Sequence, residues 1–293
     1  MNAVRLSPLR SLREHLPRKR GRKVSGVLAA FVALGLCAAD AAPVTHMAPD
    51  FSGIWARERE LCLQPVADEG VGSPVEPILV RGRDQNNIYA GNADNPILQP
   101  WAREIVKRNA ESELALKHVD TADDTCWPSG VPQDANRPDA LQFIQLKDRV
   151  LIIHQRDQQV RWIWLNQRHS RDPKPSWYGE SVGHYEGDTL VVDTIGQKTH
   201  KMSVVDPFST PHTDKIHVVE RYRTYSDPLG KGLEIVVTVQ DEGAFTMPWK
   251  GFSTFRPLRD RENLDEFVCA ENNRTFADGS TFGTIPEEKT PPF

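Results

Sequence analysis

Residues 141–165 read LQFIQL, KD, RVLIIHQR, DQ, QVRWIWL: three β-rich runs separated by Lys147-Asp148 and by Asp157-Gln158. Two-residue separations between alternating runs fit tight hairpins. The pattern continues downstream. VGHYE (182–186), Gly187-Asp188 and TLVVDTIG (189–196) form another such pair. IHVVERYRTY (216–225), the turn Asp227-Pro228-Leu229-Gly230 and LEIVVTVQ (233–240) form the next, and WKGFSTFRPL (249–258) is a last long strand. Eight to ten strands in hairpin order predict an antiparallel meander. Such a sheet must close or be covered to hide its edges. The core of a mainly β barrel is therefore expected over 141–271.

Upstream the chain is less regular. Residues 43–140 are expected to be an irregular and partly helical section that packs on the barrel. Asp50-Phe51-Ser52-Gly53-Ile54-Trp55 reads as a turn entering a first strand at 51–58. Ile97 to His118 carries the one helical pattern, with Ile97, Trp101, Ile105 and Leu116 on one side and Pro100 acceptable near the start. His118 reads as a solvated residue at the helix end. The run ADDTCWPSGVPQDANRPD (122–139) is turn chemistry almost throughout. The tail, 272–293, has few large apolar residues and is expected to be poorly ordered.

The first 42 residues differ from the rest of the 293-residue chain. They hold eight basic and two acidic side chains, whereas the remainder holds 28 basic against 38 acidic. The cationic block RKRGRK (18–23), the apolar run VSGVLAAFVALGLCAA (24–39) and the small-x-small site Ala39-Asp40-Ala41 are the three parts of a secretory signal peptide. The run is shorter than the roughly 20 residues of a membrane span. A periplasmic or secreted protein is expected, with no membrane span after cleavage. The acidic body argues against nucleic acid and anionic lipid as partners. Cys62, Cys126 and Cys269 remain after cleavage, and an oxidising compartment favours pairing. Cys126–Cys269 is the expected bridge, because both flank the strand-rich body; three buried thiols are the alternative.

Gly53-Ile54-Trp55 before a run of hairpins resembles the Gly-x-Trp start of lipocalins and other calycin barrels, in which the Trp plugs one barrel end. The stretch WYGESVGHYEGDTLVVDT (177–194), followed by Pro211-His212-Thr213 and His217-Val218-Val219-Glu220-Arg221-Tyr222, is similar to a large group of secreted bacterial proteins of uncharacterised function. That resemblance covers roughly residues 50–275. It implies export and an antiparallel calycin-like barrel with one helix and a long irregular N-terminal section. It carries over no catalytic residue.

Strand alternation sorts the polar residues. Asp193 shares a face with Val191 and Ile195, so it is a raised-pKa acid or base if that face is inward and a strand-end cap otherwise. Glu220 shares the more apolar face of its strand with Ile216, Val218 and Tyr222. His154 shares a face with Val150 and Ile152, and Arg161 with Ile163 and Leu165. The candidate acid–base residues are therefore Asp193, Glu220 and His154. Arg161, Trp162, Trp164, Trp177, Tyr222 and Trp249 are the candidate ligand-binding residues, with Arg161 available to pair with Asp193 or Glu220 inside the barrel. His200, His212 and His217 have no recognisable metal-ligand spacing, so no metal and no cofactor are expected. Ser181 in Gly179-Glu180-Ser181-Val182-Gly183 matches a hydrolase elbow formally. It precedes a hairpin rather than a helix, and reads as a bend.

These features predict an exported barrel, monomeric or weakly dimeric, that holds a small and largely apolar molecule in its interior. Two other functions fit the same residues. One is a cofactor-independent isomerase, lyase or hydratase using a buried Asp or Glu on a hydrophobic substrate. The other is an envelope interaction protein with a filled barrel.

Overall fold

The computed structural model describes residues 48–58, 62–66, 73–81, 87–115, 117, 119, 121–122, 126–156 and 159–269. The expected leader, the tail, Leu116 and His118 lie outside the described residues. In chain order the strands are β1 (Gly53–Arg57), β2 (Gln64–Pro65), β3 (Glu76–Arg81), β4 (Asn87–Asn92), β5 (Leu141–Gln145), β6 (Arg149–His154), β7 (Val160–Leu165), β8 (Glu180–Glu186), β9 (Thr189–Ile195), β10 (His217–Asp227), β11 (Gly230–Gln240) and β12 (Trp249–Pro257). One α-helix, α1 (Pro100–Leu114), lies between β4 and β5.

β5 to β12 are hydrogen-bonded in sequence order, and β1 closes the wall by pairing with β5 on one side and β12 on the other. The Gly-x-Trp strand is therefore the closing stave. Trp55 pairs with Leu141 and with Pro257, its ring is buried, and its indole N–H donates to the Phe51 carbonyl at 2.8 Å. β2 adds a short ladder to β12. β3 and β4 form a separate hairpin that the sequence pattern does not predict.

The wall is not wholly antiparallel. β7 and β8 run parallel, and their ladder extends only from Ile163–Ser181 to Leu165–Gly183. The neighbouring β8–β9 ladder runs from Glu180–Ile195 to Glu186–Thr189. A parallel pair needs a long crossover rather than a tight turn, and residues 166–179 supply it. The first half of β7 is thus left without a partner on its β8 side. Gly179, just ahead of β8, has φ +63°, and a Cβ there would stand 2.5 Å from the Ile195 carbonyl oxygen. Only glycine enters β8 this way.

Inside, the alternation holds. Val150, Ile152 and His154 of β6 point inward, as do Arg161, Ile163 and Leu165 of β7 and Val218, Glu220 and Tyr222 of β10. Phe143, Leu190, Val192, Leu233, Ile235, Val237, Val239 and Phe255 complete the apolar filling.

The helix is confirmed but its buried side is not the one expected. Ala102, Val106 and Ala110 are buried, an i, i+4, i+8 stripe, and the helix packs against β4 of the separate two-stranded sheet. Trp101 is exposed and donates its indole N–H to the Gly243 carbonyl at 2.7 Å, which ties the start of α1 to the β11–β12 loop. Cys126 and Cys269 form the disulfide, while Cys62 is buried.

Candidate functional site

A cluster of polar side chains sits within the apolar filling. Arg161 and Glu220 are each only 1% exposed. The guanidinium makes a two-pronged contact with Glu220: Nη1 donates to Oε1 at 3.0 Å, and Nη2 donates to Oε2. Nη1 also reaches Asp134 Oδ2 at 3.3 Å and Tyr222 Oη at 3.3 Å. Nη2 donates to Thr194 Oγ1 at 2.9 Å and Nε to Ser181 Oγ at 3.2 Å. Tyr222 donates to Glu220 Oε1 at 2.8 Å. Every donor group of the guanidinium therefore has an acceptor, which a buried charge requires.

The electrostatics follow from this packing. Burial opposes the charge on Arg161, but Glu220, Tyr222 and Asp134 outweigh it and hold the guanidinium ionised well above its ordinary range. Burial, with the negative charge of Glu220, raises the Tyr222 phenol. His154 stands 3.5 Å from Asp134 Oδ2 and stacks on Tyr178, with ring centroids 5.3 Å apart. Burial, helped by Arg161, pushes its pKa down to about 3, so its imidazole is uncharged at neutral pH. The void bordered by Asp134, Phe143, His154, Glu220 and Tyr222 is only about 10 Å³. That is room for roughly one water.

The larger space lies outside, at the short β7–β8 seam. A groove of about 950 Å³ runs between β7 and the 166–179 crossover. Arg161 and Ser181 are among the residues that border it, so the buried cluster forms part of its floor. Trp162, Trp164, Trp177 and Tyr178 form its aromatic walls, with Arg149, Lys174, Asp172 and Glu180 around them. Trp162 and Trp164 project from the outer face of β7 with rings 6.0 Å apart and 20° from parallel. The Arg149 guanidinium lies over both, at 4.4 Å from Trp164 and 5.7 Å from Trp162.

Asp193 is on the outer face of β9, half-exposed, and belongs to neither the buried cluster nor the groove. Its Oδ1 lies 2.8 Å from His169 Nε2 and 2.9 Å from His217 Nε2. His169 Nδ1 in turn lies 3.1 Å from Glu180 Oε1. The hydrogen bond from His217 leads in lowering the Asp193 pKa, and the same bond raises that of His217. Thus Arg161 pairs with Glu220, one of the two expected partners, and Asp193 is taken by histidines.

The remaining candidates separate. Tyr222 belongs to the buried cluster. Trp249 is buried edge-on against Phe245 and lines none of the groove. His200 touches Trp127 and Trp177, His212 bonds Ser203 and Thr213, and His217 bonds Asp193. Among the described residues no three ligand-type side chains converge as a metal site. Ser181 bonds Arg161 and Thr194 and has no histidine on it.

Three buried acids, Asp134, Asp206 and Asp241, have no periodic signal in the sequence, and Asp241 accepts from Thr213 and Gly243. Asp134 sits in a short 3-10 turn inside the turn-rich run, where no periodicity marks it. Asp206 is 1% exposed beside a cavity of about 170 Å³. Its Oδ1 caps the N–H groups of Phe208 and Thr210 at 2.9 and 3.2 Å, and burial raises its pKa to about 6. The Asp-Pro-Phe turn was its only signal.

No family model matches this chain, and no significant match to a curated protein or a solved structure was found.

Proposed function

We propose that this barrel is a small-molecule-binding protein whose ligand lies in the tryptophan-walled groove at the β7–β8 seam, with Arg161 at its floor. One observation carries the reading. Arg161, Trp162, Trp164 and Trp177, chosen as binding residues from the sequence alone, border the same groove. At about 950 Å³ it falls at the upper end of the roughly 300–1,000 Å³ usual for small-molecule sites. The ligand therefore rests against the flat faces of the rings at the barrel wall, not among the packed interior side chains. The Cys126–Cys269 bridge fits an oxidising compartment, and so an exported protein. The test is a tryptophan-fluorescence titration with a panel of small molecules. Saturable quenching is expected, lost in Trp162→Ala/Trp177→Ala and kept in Trp249→Phe. Binding that survives the double variant and fails in Trp249→Phe would overturn the assignment.

A second reading, a cofactor-independent acid–base enzyme, draws on the Asp193 carboxylate held between two imidazoles. His217 also borders a recess of about 580 Å³ with Phe245, Met247 and Pro248. Asp193 would then orient a histidine base, the arrangement in which a carboxylate fixes ring position and tautomer. Glu220 and His154, in the buried cluster, would serve as polar supports. Loss of turnover in Asp193→Asn with an unchanged thermal midpoint is the expected result; full activity in that variant would exclude it.

A further inference from the structure

We infer that the ligand of the seam groove is a neutral saccharide, an oligomer of two or more rings; this rests on the groove being the binding site. The aromatic walls provide flat apolar surface, and Trp162 is 46% exposed in a strand position that the fold does not need to fill. Yet the groove is not a greasy slot. Between the rings lie Ser170, Asp172, Lys174 and Glu180. A wholly apolar ligand would strip water from these groups and return no hydrogen bonds.

An ionic ligand fits no better, because the lining carries both signs and its two arginines are already paired. Arg149 is gripped by Asp148 through two hydrogen bonds at 2.9 and 2.6 Å. Arg161 is neutralised by Glu220. Glu180 accepts from the Ser170 N–H at 2.7 Å and lies against His169. Lys174 and Asp172, two residues apart on the crossover, carry opposite charges. The groove thus presents rings, hydrogen-bonding groups and charges of both signs, with no block of one sign.

A neutral sugar ring meets both conditions. One face carries C–H groups, positively polarised, which lie well against the negative face of an indole. Its edge carries hydroxyls, which can donate to Asp172 and Glu180 and accept from Lys174. The groove's volume of about 950 Å³ is room for more than one sugar ring.

The experiment presents the purified protein to an array of neutral glycans, then titrates cellotriose, maltotriose and chitotriose against tryptophan fluorescence. 2-Naphthol, flat and without a sugar's hydroxyls, serves as the apolar control. At least one neutral glycan should bind saturably, with affinity unchanged between low and high salt. Trp162→Ala should weaken it by roughly tenfold or more, and Asp172→Asn by a smaller factor, with no change in thermal midpoint. Trp249→Phe should bind as the parent does. If no neutral glycan binds while 2-naphthol binds in a Trp162-dependent way, the saccharide assignment falls and the groove stands. If neither binds, both fall. Sugar binding that is indifferent to Trp162→Ala would also overturn the inference.

Discussion

Replacing Asp206 by Asn should stabilise this protein at neutral pH. Asp206 is fully enclosed. Its Oδ1 is engaged by two backbone N–H groups, while Oδ2 has no hydrogen-bond partner. Asn keeps the accepting oxygen and removes the charge. The native pKa is raised from 3.8 to about 6. A shift of about two units corresponds to roughly 3 kcal/mol at about 1.4 kcal/mol per unit. The sign follows from linkage. The folded state prefers the protonated acid, whereas the unfolded chain ionises near pH 3.8. Stability from this group is therefore full below about pH 3.8, declines as pH rises, and is lost above about 6. Asp206→Asn should thus gain on the order of 3 kcal/mol at pH 7.5 and almost nothing at pH 3.5. For a body of this size that is roughly 6–12 °C in thermal midpoint. Urea unfolding of both proteins across pH 3.5–8 measures it. A gain that is the same at both ends of that range would refute the reasoning, as would no gain at pH 7.5.

Three further outcomes follow from the geometry. Glu220→Gln strips Arg161 of its main counter-charge. Breaking a buried pair costs about 3–5 kcal/mol, and Asp134 at 3.3 Å keeps the loss near the lower figure; a loss under about 1 kcal/mol in urea would show that the pair is not desolvated. Asp193→Asn should lower the pKa of His217, read by NMR titration of the ring protons. In the parent, the His217 contribution is present below its unfolded value of about 6.5 and lost as pH rises through the raised folded value. The Asp193 contribution is present above about 3.8 and lost as pH falls through its lowered one, so the pair is strongest between the two. An unmoved His217 titration would contradict the hydrogen bond at 2.9 Å. Finally, reducing Cys126–Cys269, which closes 143 residues, should cost about 5 kcal/mol by chain entropy, seen as a fall in midpoint with dithiothreitol; an unchanged midpoint at full thiol titration would count against it.

What the sequence made legible, and what it hid, follows from where periodicity exists. A period of two assigned Arg161, Glu220 and Tyr222 to one wall because each shares its face with aliphatic residues that must be buried. The same logic fails for Asp193, since β9 is buried on both faces over Thr189–Val192 and alternation there does not distinguish inside from outside. Asp134, His169 and Asp206 lie in turns and crossovers, where no repeat marks a side chain that folds back onto a strand. The direction of β8 was hidden for another reason. A strand's own residues state its faces but not its partner's heading. The signal was the connection, because residues 166–179 are far too long for a tight hairpin.

That one parallel joint also forms the groove in which the ligand is proposed to lie. Antiparallel neighbours would have paired β7 along its length and left no groove beside it. The joint instead pairs only Ile163–Leu165, so Arg161, although 1% exposed, stands among the residues that border an outer groove. Trp162, in the half of β7 unpaired on its β8 side, is 46% exposed. Closing the seam, rather than emptying the interior, is therefore the change that would separate binding from folding.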